Sequence, residues 1–260
     1  MKEKLYQSMI ELTNGRWSSS LLKGFAQSNL SKKVIPAYIK YFNIDTDEIP
    51  CHVHEFLTLH DFFIRALKKD SRMIDQSESG IISPVDATIE TFGDITYDGI
   101  FHVKGKAYTL YDMLGSTKIG KEYENGKFMI LYLSPAEYHR IHAPIDGKVT
   151  RQYLLGKKSY PVNKWGLAYG KETISGNYRL LTELQMPNEK HCFHIKVGAM
   201  FVNSIELTNK GTEWRKGEEV GYFSFGSTVV LLFQEGSIEF SKEIGPGKFV
   251  QMGEKVATML

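Results

Sequence analysis

Short runs of β-branched and apolar residues, separated by Gly, Pro and Asp-Gly, dominate the chain from residue 80 onward. The longest of them, 128–133 and 229–233, have the length of strands and fall far short of the roughly 20 apolar residues that a membrane-spanning helix needs. Short strands with turn signals at this spacing predict an antiparallel, sandwich-like or barrel-like β core. The predicted strands cover residues 81–82, 88–91, 128–133, 147–153, 192–197, 204–207, 220–223 and 229–233.

The first 70 residues have a different pattern, because their apolar residues recur at helical spacing. Four stripes, at 5–12, 21–25, 35–42 and 56–67, predict short amphipathic helices. Packing against a core and contact with a membrane surface both explain such stripes. The chain is therefore predicted to be of the α+β class, with a helical N-terminal region, 1–68, and a β-rich domain with short helices, 69–260.

The composition excludes several classes of protein. A net charge of +2 is too small for nucleic acid binding by bulk electrostatics. The two cysteines, Cys51 and Cys192, share no sequence pattern, so a reducing compartment is expected rather than a disulfide framework. The histidines near Cys51 and the H-C-F-H stretch at 191–194 lack the spacing of a zinc site, and no metal is predicted.

The tripeptide Gly-Ser-Thr occurs twice, at 115–117 and at 226–228. Gly115 follows a stretch, 106–114, that is predicted to be helical, and glycine is the usual residue just after a helix. Gly226 lies between two predicted strands, where glycine marks a turn or a close approach of the backbone. It has no side chain to block an attack on its carbonyl by the Ser227 hydroxyl.

A serine hydroxyl is a weak nucleophile and needs a base. His139 and His142, in the stretch Y-H-R-I-H, are the candidates. A carboxylate would orient such a base, and Asp86 and Asp146 each lie in a Pro-led turn that suits this role. Their positions in the sequence alone do not decide between them.

Three motifs together resemble the phosphatidylserine decarboxylase family, in its short bacterial form. They are S-P-V-D at 83–86, Y-H-R-I-H at 138–142 and F-G-S-T-V at 225–229, and D-F-F-I-R-A-L-K at 61–68 supports them. The family's first motif usually continues with glycine, whereas Ala87 stands here. We expect an extended backbone that accepts alanine at this position.

The resemblance implies a proenzyme that cuts itself between Gly226 and Ser227, giving a β chain, 1–226, and an α chain, 227–260. His142, held by Asp86, would act as the base, and Ser227 would become a covalent pyruvoyl cofactor. The pyruvoyl carbonyl would form a Schiff base with phosphatidylserine, which loses CO2 and yields phosphatidylethanolamine. His139 matches the family histidine of the decarboxylation step.

The resemblance also implies partners and a location. They are the phosphatidylserine substrate, a membrane surface on the cytoplasmic face of the bacterial cell membrane, and a heterodimer of the two cut chains or a higher oligomer of it. Two other activities stay open, namely a pyruvoyl decarboxylase of a soluble amino acid and a triad hydrolase that uses unprocessed Ser227. A carrier module is disfavoured because no lysine stands in a suitable hairpin turn.

Overall fold

The computed structural model describes residues 23–158, 160, 173–198, 205–224 and 227–260. Short strands dominate these residues, as predicted, and the α+β class is confirmed. The strands are β1 (Gly80–Ile82), β2 (Ala87–Asp94), β3 (Ile100–Val103), β4 (Lys106–Thr109), β5 (Lys127–Leu133), β6 (Arg140–His142), β7 (Gly147–Leu155), β8 (Arg179–Gln185), β9 (His191–Gly198), β10 (Ile205–Glu206), β11 (Glu213–Trp214), β12 (Glu219–Phe223), β13 (Ser227–Phe233), β14 (Ile238–Phe240), β15 (Phe249–Val250) and β16 (Lys255–Met259).

Four short α-helices lie wholly within the described residues, and residues 23–26 are helical as well. Two precede the sheets, each next to a 3₁₀ helix, and two follow β4. They are α1 (Ile35–Phe42), α2 (Leu59–Phe63), α3 (Leu110–Leu114) and α4 (Thr117–Lys121), with the 3₁₀ helices at Asn29–Val34 and Val53–Glu55.

The largest sheet is antiparallel and has the strand order β11-β7-β8-β9-β13-β5-β2-β15 among the described residues. β13 is central, and each of its residues from Ser227 to Phe233 is paired both with β5 and with β9. All seven residues are buried. The apolar run 229–233 therefore forms a strand with both faces covered, which explains why apolar and polar residues do not alternate in it.

Successive residues of β13 enter two different cores. Val229, Leu231 and Phe233 pack with side chains of the smaller sheets β1-β16-β14 and β10-β12-β6. Val230 and Leu232 point to the opposite face, where they pack with the β3–β4 hairpin and α3. The large sheet is thus covered on both sides, in a sandwich-like arrangement.

The N-terminal helices have a small apolar core of their own, formed by Ile35, Ile44, Ile49, Leu59 and Phe62. The predicted helix 35–42 is confirmed, with a proline in its first turn and left-handed Asn43 (φ 51°) at its end. The predicted helix at 56–67 is shorter than expected, because Thr58 caps α2 at its start by accepting a hydrogen bond from Asp61. The stripe at 5–12 lies outside the described residues, as do residues 21 and 22 of the next stripe, whereas residues 23–26 are helical.

The stretch 106–114 was predicted to be one helix, and this is wrong for its first half. Residues Lys106–Thr109 pair with Ile100–Val103 as a hairpin, and only Leu110–Leu114 is helical. Gly115 ends that helix in the left-handed conformation (φ 69°), as predicted, and Ser116 caps α4 by accepting a hydrogen bond from Ile119 N at 3.3 Å. The first Gly-Ser-Thr therefore has a complete structural role.

Lys196 is a fully buried lysine in β9. Its Nζ donates to Thr182 Oγ1 at 3.0 Å and lies 4.9 Å from the centre of the Trp214 ring. Burial lowers the pKa of this amine to about 7. The register pairs Lys196 with Val229 and Ser227 with Gly198, which places Lys196 and Ser227 on the same face of the sheet.

Replacing Lys196 by methionine should stabilise the fold, and most strongly at low pH. The lysine pKa is lowered on folding, so the cost of burying the charge is complete below pH 7 and declines as the pH rises toward the pKa of the unfolded chain. The gain in the free energy of unfolding from Lys196→Met should fall by roughly 1 kcal/mol per pH unit between pH 7 and 10. Urea unfolding at several pH values measures it, with exposed Lys190→Met as the control. An advantage that does not change with pH would contradict the assignment.

Candidate active site

Ser227 is the first residue of β13 and is completely buried. Its Oγ has no hydrogen-bond partner among the described residues. Its neighbours in the sheet are Leu133, the last residue of β5, and Gly198, the last residue of β9. Gly226, the other half of the predicted cleavage bond, lies outside the described residues. An unpartnered buried hydroxyl is costly, which makes Ser227 a functional candidate on structural grounds.

His139 lies near the same end of the sheet as Ser227, because both ends of its loop contact the segment 223–227. The loop 134–139 starts after Leu133, which pairs with Ser227. At the other end of the loop, the His139 carbonyl accepts a hydrogen bond from Phe223 N at 3.0 Å. Phe223 in turn lies four residues before Ser227. Both ends of the histidine loop are therefore fastened to the segment that carries the serine.

The His139 ring has one nitrogen bound and one without a partner. Nδ1 donates to the carbonyl of Glu137 at 2.8 Å, so the lone pair is on Nε2, which has no partner among the described residues. The ring packs 3.9 Å from that of Phe63, measured between ring centres. Burial lowers the pKa of His139 to about 3, and the imidazole is neutral at pH 7.

His142 is the other neutral imidazole of the site. Its Nδ1 donates to the carbonyl of Gly217 at 2.8 Å, and the Tyr138 hydroxyl donates to Nε2 at 3.1 Å. Its main-chain N–H donates to Pro84 O at 2.8 Å, which ties β6 to the S-P-V-D turn. Burial lowers the pKa of His142, although the Gly217 carbonyl and nearby carboxylates, including Asp86, oppose the shift.

Asp86 is buried but does not hydrogen-bond to His142. Arg72 donates to it from Nε at 2.9 Å and from Nη2 at 2.5 Å, and Met252 N donates at 2.8 Å. The expected direct hydrogen bond between Asp86 and His142 is therefore not present. The physical reason is that the Arg72 guanidinium is a charged, bidentate partner for Asp86. The Gly217 carbonyl orients the His142 imidazole instead.

Asp146, the other candidate carboxylate, is exposed and accepts a hydrogen bond from Lys216 N at 2.7 Å. A buried carboxylate acts on a neighbouring imidazole more strongly than one that water screens. Asp86 is thus the better placed of the two to influence His142 through space. Ala87 is the first residue of β2, pairs with Val250 and has no positive φ, so alanine is accepted there, as expected.

Arg72 links the site to the N-terminal region. Besides Asp86 it binds Glu48, with Nη1 to Oε1 at 2.7 Å and Nη2 to Oε2 at 2.8 Å. Its Nη1 also donates to Ser71 O at 2.8 Å. Every nitrogen of this guanidinium therefore has an acceptor, and both carboxylates are held in fixed orientations.

Comparisons with known proteins identify the family of the chain. A family model described as phosphatidylserine decarboxylase matches residues 59–258. Proteins named phosphatidylserine decarboxylase proenzyme from Bacillus thuringiensis subsp. konkukian (strain 97-27) and Bacillus cereus (strain 03BB102) are each 50% identical over 260 residues, covering 100% of this chain and 99% of the relative. One of the same name from Bacillus mycoides (strain KBAB4) is 50% identical over 258 residues, covering 99% and 98%.

The chain belongs to the phosphatidylserine decarboxylase family. The resemblance inferred from three motifs is therefore confirmed, and the family match includes Asp86, His139, His142 and Ser227. It makes the chain a decarboxylase, a lyase that releases CO2.

Sequence reasoning missed the groups that bind the two key side chains. Tyr138 and the Gly217 carbonyl bind His142, and Arg72 binds Asp86. Tyr138 belongs to a motif quoted for its histidines, and Arg72 follows the supporting stretch 61–68 by four residues. A carbonyl 75 residues away along the chain leaves no signal in the sequence.

Across the described ranges, no group of three or more His, Cys, Asp or Glu side chains is placed to hold a metal ion. No helix in the same part of the chain is long and apolar enough to cross a membrane.

Removing Arg72 should destabilise the protein strongly. Arg72→Met leaves the carboxylate of Asp86, which is only 2% exposed, without its charged partner. Breaking a buried pair in this way costs about 3 kcal/mol or more. Urea unfolding of the uncut Ser227→Ala chain measures the loss.

The matched control for this change is Glu48→Gln. It leaves the pair between Arg72 and Asp86 in place and alters a carboxylate that is 32% exposed. It should cost less than about 1 kcal/mol. Equal losses for the two variants would show that Asp86 does not depend on Arg72.

Proposed function

We propose that this chain cuts itself at the Gly226–Ser227 bond and decarboxylates phosphatidylserine with a pyruvoyl group made from Ser227. The observation that supports it best is the buried Ser227 hydroxyl, which has no partner among the described residues and lies opposite the start of the loop 134–139 that ends at the neutral His139. The family membership supports the reaction, and the word proenzyme in the relatives' names supports the cut.

In the first step the Ser227 oxygen attacks the carbonyl carbon of Gly226. A C–O ester bond forms, the C–N peptide bond breaks, and the nitrogen of Ser227 becomes a free amine. His142 takes the hydroxyl proton and returns one to the departing nitrogen. Since Tyr138 donates to Nε2, the base becomes available when that hydrogen bond is released. General-base assistance of this kind is worth roughly 10²–10⁴ in rate.

In the second step the ester is eliminated. A proton leaves the α-carbon of Ser227, the carboxylate of Gly226 departs, and the remaining unsaturated residue takes up water and loses ammonia. The products are a β chain, 1–226, and an α chain, 227–260, that begins with the pyruvoyl group. Asp86 acts through its charge, which favours the protonated form of His142 during these transfers.

The residues around Ser227 suit a pyruvoyl group at this position. Such a group supplies a carbonyl that takes up the substrate amine and withdraws the electrons left behind by CO2. The complete burial of Ser227 and His139 keeps water away from the reacting carbon. With its free Nε2, His139 accepts a hydrogen bond from the substrate ammonium, and because its protonated form is strongly acidic it is suited to deliver a proton to the carbon that CO2 has left.

The N-terminal region suits a membrane surface. Several of its large apolar side chains are exposed, and lysines accompany them. Apolar residues at headgroup level and lysines outside are the features of an interfacial segment. We assign this region to the cytoplasmic face of the cell membrane, where it would hold the site close to its lipid. The exposed residues are Phe25, Leu30, Val34, Tyr41 and Leu57, with Lys23, Lys32, Lys33 and Lys40 among them.

A denaturing gel and mass spectrometry test the cut. The wild-type chain should give two fragments, and the smaller one should be lighter by one ammonia than the 227–260 peptide. Ser227→Ala should remain whole. Ser116→Ala should be cut normally and lose only about 1 kcal/mol of stability, because it removes a helix cap. An active wild-type protein of 29.6 kDa that stays in one piece would favour the hydrolase alternative.

The substrate is tested by CO2 release. Phosphatidylserine in vesicles should be decarboxylated, whereas free serine and aspartate should not. Release from a free amino acid but not from the lipid would favour the soluble pyruvoyl decarboxylase instead.

Self-cutting should persist to lower pH than an ordinary histidine would allow. The neutral form of His142 is the base, and burial lowers its pKa below the usual 6.5, so the base remains neutral as the pH falls through 6.5. The wild-type chain is collected uncut in urea, from inclusion bodies, and its cutting is followed on gels after dilution to pH 5 to 8. The rate should be nearly constant from pH 8 to 6.5 and fall only below that. A midpoint at or above pH 6.5 would exclude His142 as the base.

A further inference from the structure

Donors from the N-terminal region bind three consecutive carbonyls of the loop between β5 and β6. The Tyr38 hydroxyl, on α1, donates to Pro135 O at 2.9 Å. Arg65, which follows α2, donates from Nη2 to Ala136 O at 2.9 Å and to Glu137 O at 3.4 Å. The proposed reaction assigns no role to either donor, although the loop that they bind ends at a histidine of the site.

One of these three carbonyls also fixes the tautomer of His139. Glu137 O accepts from Nδ1 of His139 at 2.8 Å as well as from Arg65 Nη2. A carbonyl oxygen has two lone pairs, so it can accept both hydrogen bonds. In a neutral imidazole one nitrogen carries the proton and the other carries the lone pair. While Glu137 O lies in this position, the proton is on Nδ1 and the lone pair of Nε2, which has no partner in the described residues, is available.

Packing against the same N-terminal region restricts the His139 ring. The buried Phe63 ring lies 3.9 Å from it, measured between ring centres. Within the loop, Ala136 packs against the apolar core of the N-terminal helices. Just after the loop, Arg140 donates from Nε to Ile64 O at 3.0 Å. Both the loop and the imidazole that it carries are therefore held by the N-terminal helices and the residues that follow α2.

His142 depends less on these donors. Its Nδ1 donates to Gly217 O at 2.8 Å, and its main-chain N–H donates to Pro84 O at 2.8 Å. Both acceptors belong to the β-rich part of the chain, and only its third partner, Tyr138, belongs to the loop. Removal of the N-terminal donors should therefore affect His139 more than His142, although the two histidines are close in sequence.

We propose that Arg65 and Tyr38 are positioning residues for the decarboxylation step, because they hold the loop carbonyls that keep His139 in its Nδ1–H tautomer with Nε2 free. The inference rests on the proposed function, in which Nε2 meets the substrate ammonium and delivers the proton. Arg65 acts through Glu137 O, and Tyr38 acts through Pro135 O in the same loop. Without them the imidazole can turn or exchange tautomers, and a misplacement of about 1 Å at a reacting group can cost roughly 100-fold in rate.

The tautomer of His139 is the direct test, and it does not require activity. Histidine nitrogen NMR spectra of the uncut Ser227→Ala chain, assigned with His139→Asn, should show a protonated Nδ1 and an unprotonated Nε2. Addition of Arg65→Met removes the donor at similar side-chain length, and a protonated Nε2 should then appear. An unchanged tautomer would overturn the proposal. The matched control, Arg179→Met, should leave the His139 signals unchanged, because Arg179 is also buried but binds main-chain carbonyls outside the loop. Those carbonyls belong to Asp112, Met113 and Asn177.

Kinetics separate the effect on His139 from the effect on the cut. Arg65→Met should be cut completely, as the wild type is, because the cut uses His142. Its kcat for CO2 release from phosphatidylserine should fall roughly 10- to 100-fold, with a smaller change in KM. Arg179→Met should change neither constant. An unchanged kcat would overturn the positioning role, and so would a rise in KM alone, since that indicates a role in substrate binding.

A milder pair of variants decides if Arg65→Met does not fold. Tyr38→Phe removes only the hydroxyl that binds Pro135 O, and it should lower kcat several-fold while the chain is still cut. Tyr153→Phe is its matched control, because the Tyr153 hydroxyl donates at the same distance, 2.9 Å, to Leu114 O, which belongs to α3 and not to the loop. Equal kcat values for these two variants would overturn the proposal. Failure of the wild type to release CO2 from phosphatidylserine would instead overturn the proposed function, and the NMR result would be unaffected.

Discussion

The pairing of β13 with β5 and β9 is the constraint on which the rest of the structure depends. Seven consecutive residues are paired on both sides, and their side chains form parts of both main cores. Ser227, the first residue of this ladder, is buried because a strand is paired with it on each side. The same register places the loop 134–139 beside it, since that loop leaves the sheet at Leu133. The position of the candidate site is thus a consequence of sheet register.

Buried polar groups in the candidate site fall into two sets with different physical meaning. Asp86, Arg72 and His142 have complete hydrogen bonding, which fixes their orientation. Ser227 and Arg65 retain atoms without partners in the described residues. The hydrogen-bonded residues keep their surroundings rigid. The atoms of Ser227 and Arg65 without partners therefore cannot turn toward a nearby acceptor. A buried atom without a partner in a native structure calls for an explanation, and for Ser227 the proposed reaction supplies one.

Sequence reasoning found most of the longer strands, including β9 with its buried Lys196, and missed β8. The run 229–233 was predicted because it is β-branched and apolar, whereas β8 was missed because it contains Arg179 and Glu183. Arg179 is buried by donating to Met113 O at 2.9 Å, and Glu183 accepts from Tyr123 at 2.9 Å. Such partners are distant in sequence and become neighbours only in the fold. The site shows the same limit: its proposed reacting residues lie in motifs, but the contacts of Asp86 with Arg72 and of His142 with the Gly217 carbonyl follow from topology.

The segment from Ser227 to the C-terminus contributes strands to more than one sheet. β13 lies at the centre of the large sheet, β15 pairs with β2 at its edge, and β16 pairs with β1 in a smaller sheet. If the chain were cut before Ser227, the two pieces would therefore stay assembled, because the hydrogen bonds between their strands do not depend on the broken peptide bond. Its unfolding, however, would release two molecules in place of one. Refolding would then depend on protein concentration, and a cut enzyme that unfolds in dilute solution would lose the assembly that an uncut chain recovers by itself.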